Sequence, residues 1–196
     1  ALELPAGARI LDLCCGTGDL AIAAHDRGGF RVVAVDFAAP MLRLGWSKAA
    51  PGRARLEGFL QADALRLPFA SHAFDGLTVA FGLRNVEDPA RALRECRRVL
   101  RPGGRFAVLE FFRVPNPAWR ALFRLYFHGC APLAARALGT SQPQAYRYLP
   151  ASVDAFVSPD TFVGWMRAAG FGSCTRRAYS GGVALLLTAT AGAAEA

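Results

Sequence analysis

The sequence predicts a doubly wound α/β domain with a mostly parallel sheet. Three observations carry that expectation. Apolar runs of strand length alternate with segments of helical period along most of the chain. A glycine cluster follows the first apolar run and opens the first helical segment. The chain has 196 residues, 53 % of them apolar, which is enough for one full core and too apolar for a disordered chain.

Residues 9–13 read as the first strand, with Ile10, Leu11 and Leu13 apolar, and residues 19–27 as the helix after it. Residues 31–35 form the second strand and residues 40–48 the next helix, with Pro40 suited to its first turn. Residues 55–60 are the third strand, followed by an irregular stretch through Ala73. Residues 74–80 are the fourth strand. Residues 89–100 have helical period and end at Pro102-Gly103-Gly104, after which residues 105–111 form the fifth strand.

The stretch from 115 to 157 breaks the alternation. Residues 119–138 are aromatic-rich and helical in pattern, and residues 141–158 read as loop with short helical turns. Ser158-Pro159-Asp160 then opens a helix that Gly170 closes. Two strand-like runs, 174–179 and 182–190, end the fold, and the Ser180-Gly181-Gly182 link is short enough for an antiparallel hairpin. The whole chain, 1–196, is therefore expected to be one domain with a helical, aromatic insert at about 115–157.

Composition excludes several classes. No apolar run approaches the ~20 residues needed to span a bilayer, and no secretory leader is visible. The cysteines Cys14, Cys15, Cys96, Cys130 and Cys174 are odd in number with no CxxC pair, which argues against a disulfide framework and a zinc site, and for a reducing compartment. The net charge is +8, and Lys48 is the one lysine among 23 basic residues. These charges are scattered with no basic tail, so nucleic acid is not expected as a partner.

The cofactor loop is Asp12-Leu13-Cys14-Cys15-Gly16-Thr17-Gly18-Asp19. Glycines between a strand and a helix let a ligand approach the backbone, and helix N-terminal N–H groups bind an anionic group. Asp36, eighteen residues after Gly18, ends the second strand, where a carboxylate can accept from both ribose hydroxyls. A nicotinamide cofactor would also suit Gly16, Gly18, Ala21 and Asp36. Asp12 inside the first strand and Arg101-Pro102-Gly103-Gly104-Arg105 leading into the fifth resemble what class I methyltransferases carry at these places, and an acidic side chain at Asp63-Ala64 after the third strand can meet an adenine amino group, which together favour S-adenosylmethionine instead. Local roles compete for some of these residues. Asp19 suits a helix N-terminus, and Asp75 suits the start of a strand.

Three segments narrow the reading: Asp63-Ala64-Leu65-Arg66-Leu67-Pro68-Phe69, Phe81-Gly82-Leu83-Arg84-Asn85-Val86, and Arg94-Glu95-Cys96-Arg97-Arg98-Val99-Leu100. The series resembles the ubiquinone/menaquinone biosynthesis C-methyltransferase family over nearly the whole chain, with residues 81–86 its most specific part. Tyr146-Arg147-Tyr148-Leu149, with Ser152 and Phe156, is also similar to the family. The resemblance implies a class I S-adenosylmethionine-dependent methyltransferase fold, Rossmann-like, with seven strands and the C-terminal hairpin antiparallel. It implies methyl transfer to a ring carbon of a polyprenylated quinol, from demethylmenaquinol to menaquinol, with S-adenosylhomocysteine as product and no metal. The cofactor-binding set is Asp12, Gly16, Thr17, Gly18, Asp36, Phe37, Met41, Asp63, Ala64 and Ala80. At Ala80 some relatives have Ser, so a hydroxyl contact is absent. Cys14-Cys15 stands where relatives usually have small residues, and is read as tolerated bulk, with reactive thiols the lesser reading. Relatives carry an N-terminal helical segment that helps close the site, and part of that lid is expected to be absent here.

A ring carbon is a poor nucleophile until a neighbouring hydroxyl loses its proton. Arg84 and Asn85, just past the fourth strand, are the expected catalytic pair, with Arg84 stabilising phenolate charge or orienting a water. The competing role for Arg84 is a salt bridge to Glu87 or Asp88. His128, Tyr126, Tyr146 and Tyr148 are weaker candidates, and Trp119, Phe123, Leu125, Tyr126 and Phe127 are expected to cover an apolar pocket. The expected partners are the lipid quinol and a transient membrane surface, with self-association into a homodimer allowed. The expected location is cytoplasmic, peripherally bound to the inner face of the membrane. Rival functions are methylation of another small apolar molecule, or a non-catalytic S-adenosylmethionine-binding role in a lipid-quinone pathway.

Overall fold

The computed structural model describes residues 1–49, 56–113 and 152–193. Its elements are β1 (Arg9–Leu13), α1 (Asp19–Gly28), β2 (Arg31–Asp36), α2 (Ala39–Lys48), β3 (Leu56–Gln61), β4 (Phe74–Ala80), α3 (Pro89–Val99), β5 (Leu100–Phe111), α4 (Pro159–Ala168), β6 (Phe171–Tyr179) and β7 (Ala184–Ala191). The strands form a seven-stranded sheet in the order β3-β2-β1-β4-β5-β7-β6. The pairs among β1 to β5 are parallel, while β7 runs antiparallel to both β5 and β6. The expected C-terminal hairpin is present, and its second strand lies inside the sheet with the first at the edge.

Side-chain alternation on the strands separates two cores. Leu11, Leu13, Val33, Val35, Leu77 and Val79 face Ala92, Leu93 and Cys96 of α3 and Phe162, Val163 and Met166 of α4. Ile10, Val32 and Ala34 point the other way, toward Ala21 of α1. Asp88 caps α3 by accepting from the Arg91 N–H at 2.9 Å, and Ser158 caps α4 by accepting from the Thr161 N–H at 3.2 Å.

Two boundaries depart from the sequence reading by three residues or more, the others by one or two. β5 starts at Leu100 rather than Arg105, because Leu100 pairs with Phe74 before the Pro-Gly-Gly turn and Arg105 resumes the ladder opposite Gly76. The turn is a bulge in one strand and not a gap between elements. β6 starts at Phe171 rather than Cys174, because Phe171 pairs with Ala191 ahead of a second irregularity. The aromatic segment 119–138 and most of the insert at 115–157 lie outside the described residues.

Strand order reverses between β1 and β4. The chain moves outward from β1 to β2 and β3, then returns to place β4 on the other side of β1. The crevice beyond the C-terminal ends of strands at such a switch point is where open α/β sheets bind ligands.

Candidate active site

A cavity of about 480 Å³ sits at that switch point. Its wall takes Leu13 of β1 and Cys14 just beyond it, Asp36 of β2 and Phe37 just beyond it, residues 62–65 beyond β3, and Phe81, Gly82 and 85–87 beyond β4. Five of the predicted residues meet there: Asp36, Phe37, Asp63, Ala64 and Asn85.

Asp36 joins the glycine loop to β2. Its Oδ2 accepts from the Gly16 N–H at 2.7 Å and its Oδ1 from the Ala38 N–H at 2.9 Å. A carboxylate accepts more than two hydrogen bonds, so capacity for a diol remains. Asp63 Oδ1 accepts from the Leu65 N–H at 2.8 Å, which fixes the turn after β3 beside the cavity. Gly16 has φ +55, with nothing within 4 Å of where a Cβ would stand. That open backbone, next to two carboxylates in one chamber, fits S-adenosylmethionine, with its amino-acid arm, diol and adenine. Asp36→Ala is expected to weaken S-adenosylmethionine binding by roughly 1–3 kcal/mol, the scale of lost charged hydrogen bonds. Titration calorimetry measures it, and an unchanged affinity would remove Asp36 from the cofactor site.

The other predicted residues do not line the cavity. The Thr17 hydroxyl donates to Asp19 at 2.8 Å and accepts from Lys48 Nζ at 2.7 Å, on the exposed side of the loop. Gly18 caps α1 in a left-handed conformation, Met41 is exposed on α2, and Ala80 pairs with Leu109 at the end of β4. Asp12 is enclosed rather than open to the cavity. It shares the sheet face of Ile10, and its Oδ1 accepts from the Thr78 hydroxyl at 2.7 Å. Its Oδ2 is buried with no hydrogen-bond partner among the described residues, and burial raises the carboxyl to about 7.

Arg84 also differs from expectation. Its side chain is 8 % exposed and pairs with Glu110, which is fully buried, at 2.5 Å. The same Nη1 donates to the Phe81 carbonyl at 2.6 Å, and Nε donates to the Ser152 hydroxyl at 3.3 Å. Neither Glu87 nor Asp88 is its partner. Glu87 lies in the cavity wall, and Asp88 caps α3. Glu110 offsets much of the charge that the sequence reading set against a phenolate. Asn85 is the member of the expected pair that lines the cavity, and Arg84 is not.

Glu110 itself was missed. Burial pushes its carboxyl up, against the pull of Arg84. The available signal was a single acid inside the apolar run Val108-Leu109-Glu110-Phe111-Phe112. Tyr126, His128, Tyr146, Tyr148, Trp119, Phe123, Leu125 and Phe127 lie outside the described residues.

The two loop cysteines are inert thiols. Cys14 packs on the α3 face and Cys15 on the α1 face. Burial pushes the Cys14 thiol up to about 12 and the Cys15 thiol up as well, so neither is a nucleophile. Cys14 also explains Gly82. A Cβ added at Gly82 would stand 2.2 Å from the Cys14 Cβ and 2.9 Å from its Sγ. Cys14 adopts φ +56, a left-handed conformation that glycine takes without strain. Gly82→Ala is expected to cost about 1–3 kcal/mol through overpacking. Adding Cys14→Gly should restore most of that loss. Thermal unfolding of both variants tests the pair, and equal melting points would break the link.

The comparisons with known proteins agree with this geometry. A model of the ubiE/COQ5 methyltransferase family matches residues 3–191. Demethylmenaquinone methyltransferase of Thermus thermophilus is 49 % identical over 83 % of this chain and 74 % of its own length. Demethylmenaquinone methyltransferase of Clavibacter sepedonicus is 44 % identical over 92 % of this chain and 72 % of its own. Among solved structures, the [4+2]-cyclase SpnF aligns with a TM-score of 0.74 at 20 % identity, over 97 % of this chain and 77 % of that one, a likeness of fold alone. A family model that spans the chain almost end to end, with two relatives above 40 % identity, shows that this chain belongs to the ubiE/COQ5 methyltransferase family and is an S-adenosylmethionine-dependent methyltransferase.

Proposed function

We propose that this enzyme methylates a ring carbon of a polyprenylated quinol, converting demethylmenaquinol to menaquinol. The observation that carries the reading is one chamber whose wall joins the cofactor carboxylates Asp36 and Asp63 to Phe81 and Asn85. The cofactor supplies an electrophilic methyl group on a sulfonium. The chain's own residues hold the acceptor. The Asn85 amide hydrogen-bonds a ring hydroxyl and stabilises its oxyanion as the proton leaves to water. The Phe81 ring and the apolar side chains of Leu65 and Val86 exclude water from the aromatic carbon. The methyl group would pass from the sulfonium of bound S-adenosylmethionine to the ring carbon, leaving a neutral thioether, and the ring carbon would give up its hydrogen as a proton to water. The names of the two relatives favour the menaquinone precursor.

The substrate is a membrane lipid, and among the described residues no helix is long and apolar enough to cross a bilayer. Phe37 in the cavity wall and Met41, Leu44 and Trp46 on α2 are exposed apolar side chains, and they support reversible docking on a membrane surface. Methyl transfer to demethylmenaquinol is expected to exceed transfer to a demethylated benzoquinol when both are assayed side by side in anionic liposomes, and the protein should float with those liposomes. Transfer to neither quinol would sink the substrate assignment. Full activity on embedded quinol with no flotation on anionic or neutral liposomes would remove the docking.

A further inference from the structure

We propose that Glu110 is a positioning residue for methyl transfer, acting through Arg84 to hold Phe81 and Asn85 at the cavity wall. The inference rests on the reading that this wall receives the ring of the acceptor. Glu110 lies near the end of β5, between Leu109 and Phe111, with no exposed surface. Its Oε1 accepts from Arg84 Nη1 at 2.5 Å and from the Phe111 N–H at 2.8 Å, and its Oε2 accepts from the Arg84 N–H at 3.3 Å. One carboxylate thus grips both the backbone and the side chain of Arg84.

The grip passes on to the cavity wall. Arg84 Nη1, held by Glu110, also donates to the Phe81 carbonyl, and the Asn85 amide reaches the same carbonyl at 3.5 Å. Phe81 has φ +58, a conformation that costs a non-glycine residue free energy and persists only where neighbours over-determine it. Its ring stacks on Phe111 at 4.4 Å between centroids, and the Arg84 guanidinium lies 5.5 Å from the Phe111 ring. The strained residue, the stacked rings and the cavity-facing amide therefore share one anchor. Stability alone does not account for the choice, because a buried ion pair is often matched or beaten by apolar side chains of similar size. Phe81 and Asn85 line the cavity and Glu110 does not, so its effect on the reaction is indirect, and Arg84, gripped by side chain and backbone, is the link that reaches the Phe81 carbonyl.

The test compares the full chain, Glu110→Gln, Arg84→Ala and the double variant. Four quantities are measured: kcat at saturating demethylmenaquinol, S-adenosylmethionine affinity, melting temperature and backbone hydrogen exchange. Glu110→Gln is expected to lower kcat about ten- to hundredfold, the scale of a small misplacement of reacting groups, with cofactor affinity within about twofold of wild type. In the Arg84→Ala background the same change should lower kcat by less than about twofold further, because the two residues act in series. Exchange should quicken at residues 81–87 and stay unchanged at residues 9–13. If Glu110→Gln does not fold, Glu110→Asp, which keeps the charge but retracts it by one methylene, is measured for the same pattern. Wild-type kcat with only a lowered melting point would overturn the proposal, and so would independent, multiplicative effects of the two substitutions. If the wild type methylates no quinol, the substrate reading fails separately, and the exchange pattern at residues 81–87 still decides whether Glu110 holds the wall.

Discussion

Arg84→Ala is expected to lose both turnover and stability. It leaves Glu110, which is fully buried, without its cation. Breaking a buried pair from one side costs about 3–5 kcal/mol, or roughly 6–20 °C of melting temperature for a chain of this size. Turnover should fall by ~10²–10³, because the Phe81 carbonyl and the loop bearing Asn85 lose their tether. Arg84→Lys should recover little of it. A single ammonium cannot span the Phe81 carbonyl, Glu110 and Ser152 as the guanidinium does. The stability loss should also depend on pH. An unpaired Glu110 is relieved by taking up a proton, so the variant should lose less at pH 5 than at pH 8. Melting curves at the two pH values, with kcat at saturating quinol, measure both effects. A loss of 1 kcal/mol or less with normal turnover would mean that Arg84 behaves as an exposed surface charge.

The backbone was more legible than the wiring of the site. β1 and β4 have the predicted bounds because each is mostly apolar and buried on both faces of the sheet, where length and composition coincide. β6 carries Thr175, Arg176 and Arg177 at a sheet edge, and its short apolar signal hid the residues from Phe171 to Ser173. The Pro-Gly-Gly turn looked like a terminator because a bulge and a loop have the same composition. Asp36 and Asp63 were legible because a strand end at the switch point brings a side chain to the crevice whatever its neighbours are. The partner of Arg84 was not. Glu110 lies 26 residues away and meets Arg84 only through the parallel register that sets Ala80 opposite Leu109. Local charge pairing pointed instead to Glu87 and Asp88, and the N-terminus of α3 claims Asp88. For Asp12, motif position suggested an open contact, whereas strand alternation already assigns it to the enclosed face with Ile10.

That enclosure makes Asp12 a source of pH dependence. Burial is the main cause of its rise from the usual 3.8 to about 7, with the Thr78 hydroxyl and the Ala21 backbone N–H pulling the other way and the Asp36 charge adding to the rise. Below about pH 4 the carboxyl is protonated in the folded and unfolded chains alike, and it contributes no penalty. Between about 4 and 7 the folded chain binds the proton more tightly, so stability falls as pH rises. Above about 7 the penalty is complete, at about 4 kcal/mol, from 1.36 kcal/mol per pKa unit. Asp12→Asn keeps an acceptor for Thr78 and carries no charge, so this slope should vanish. The amide nitrogen then stands where the unpartnered Oδ2 was, and an unsatisfied buried donor costs about 1–3 kcal/mol at every pH. The variant is therefore expected to be less stable than wild type at pH 4 and level with it or more stable at pH 8. Taking the difference between the two proteins cancels the other carboxylates, which titrate alike in both. Urea unfolding from pH 4 to pH 8 measures that difference, and a value independent of pH would show that Asp12 is ionised at little cost in the folded chain.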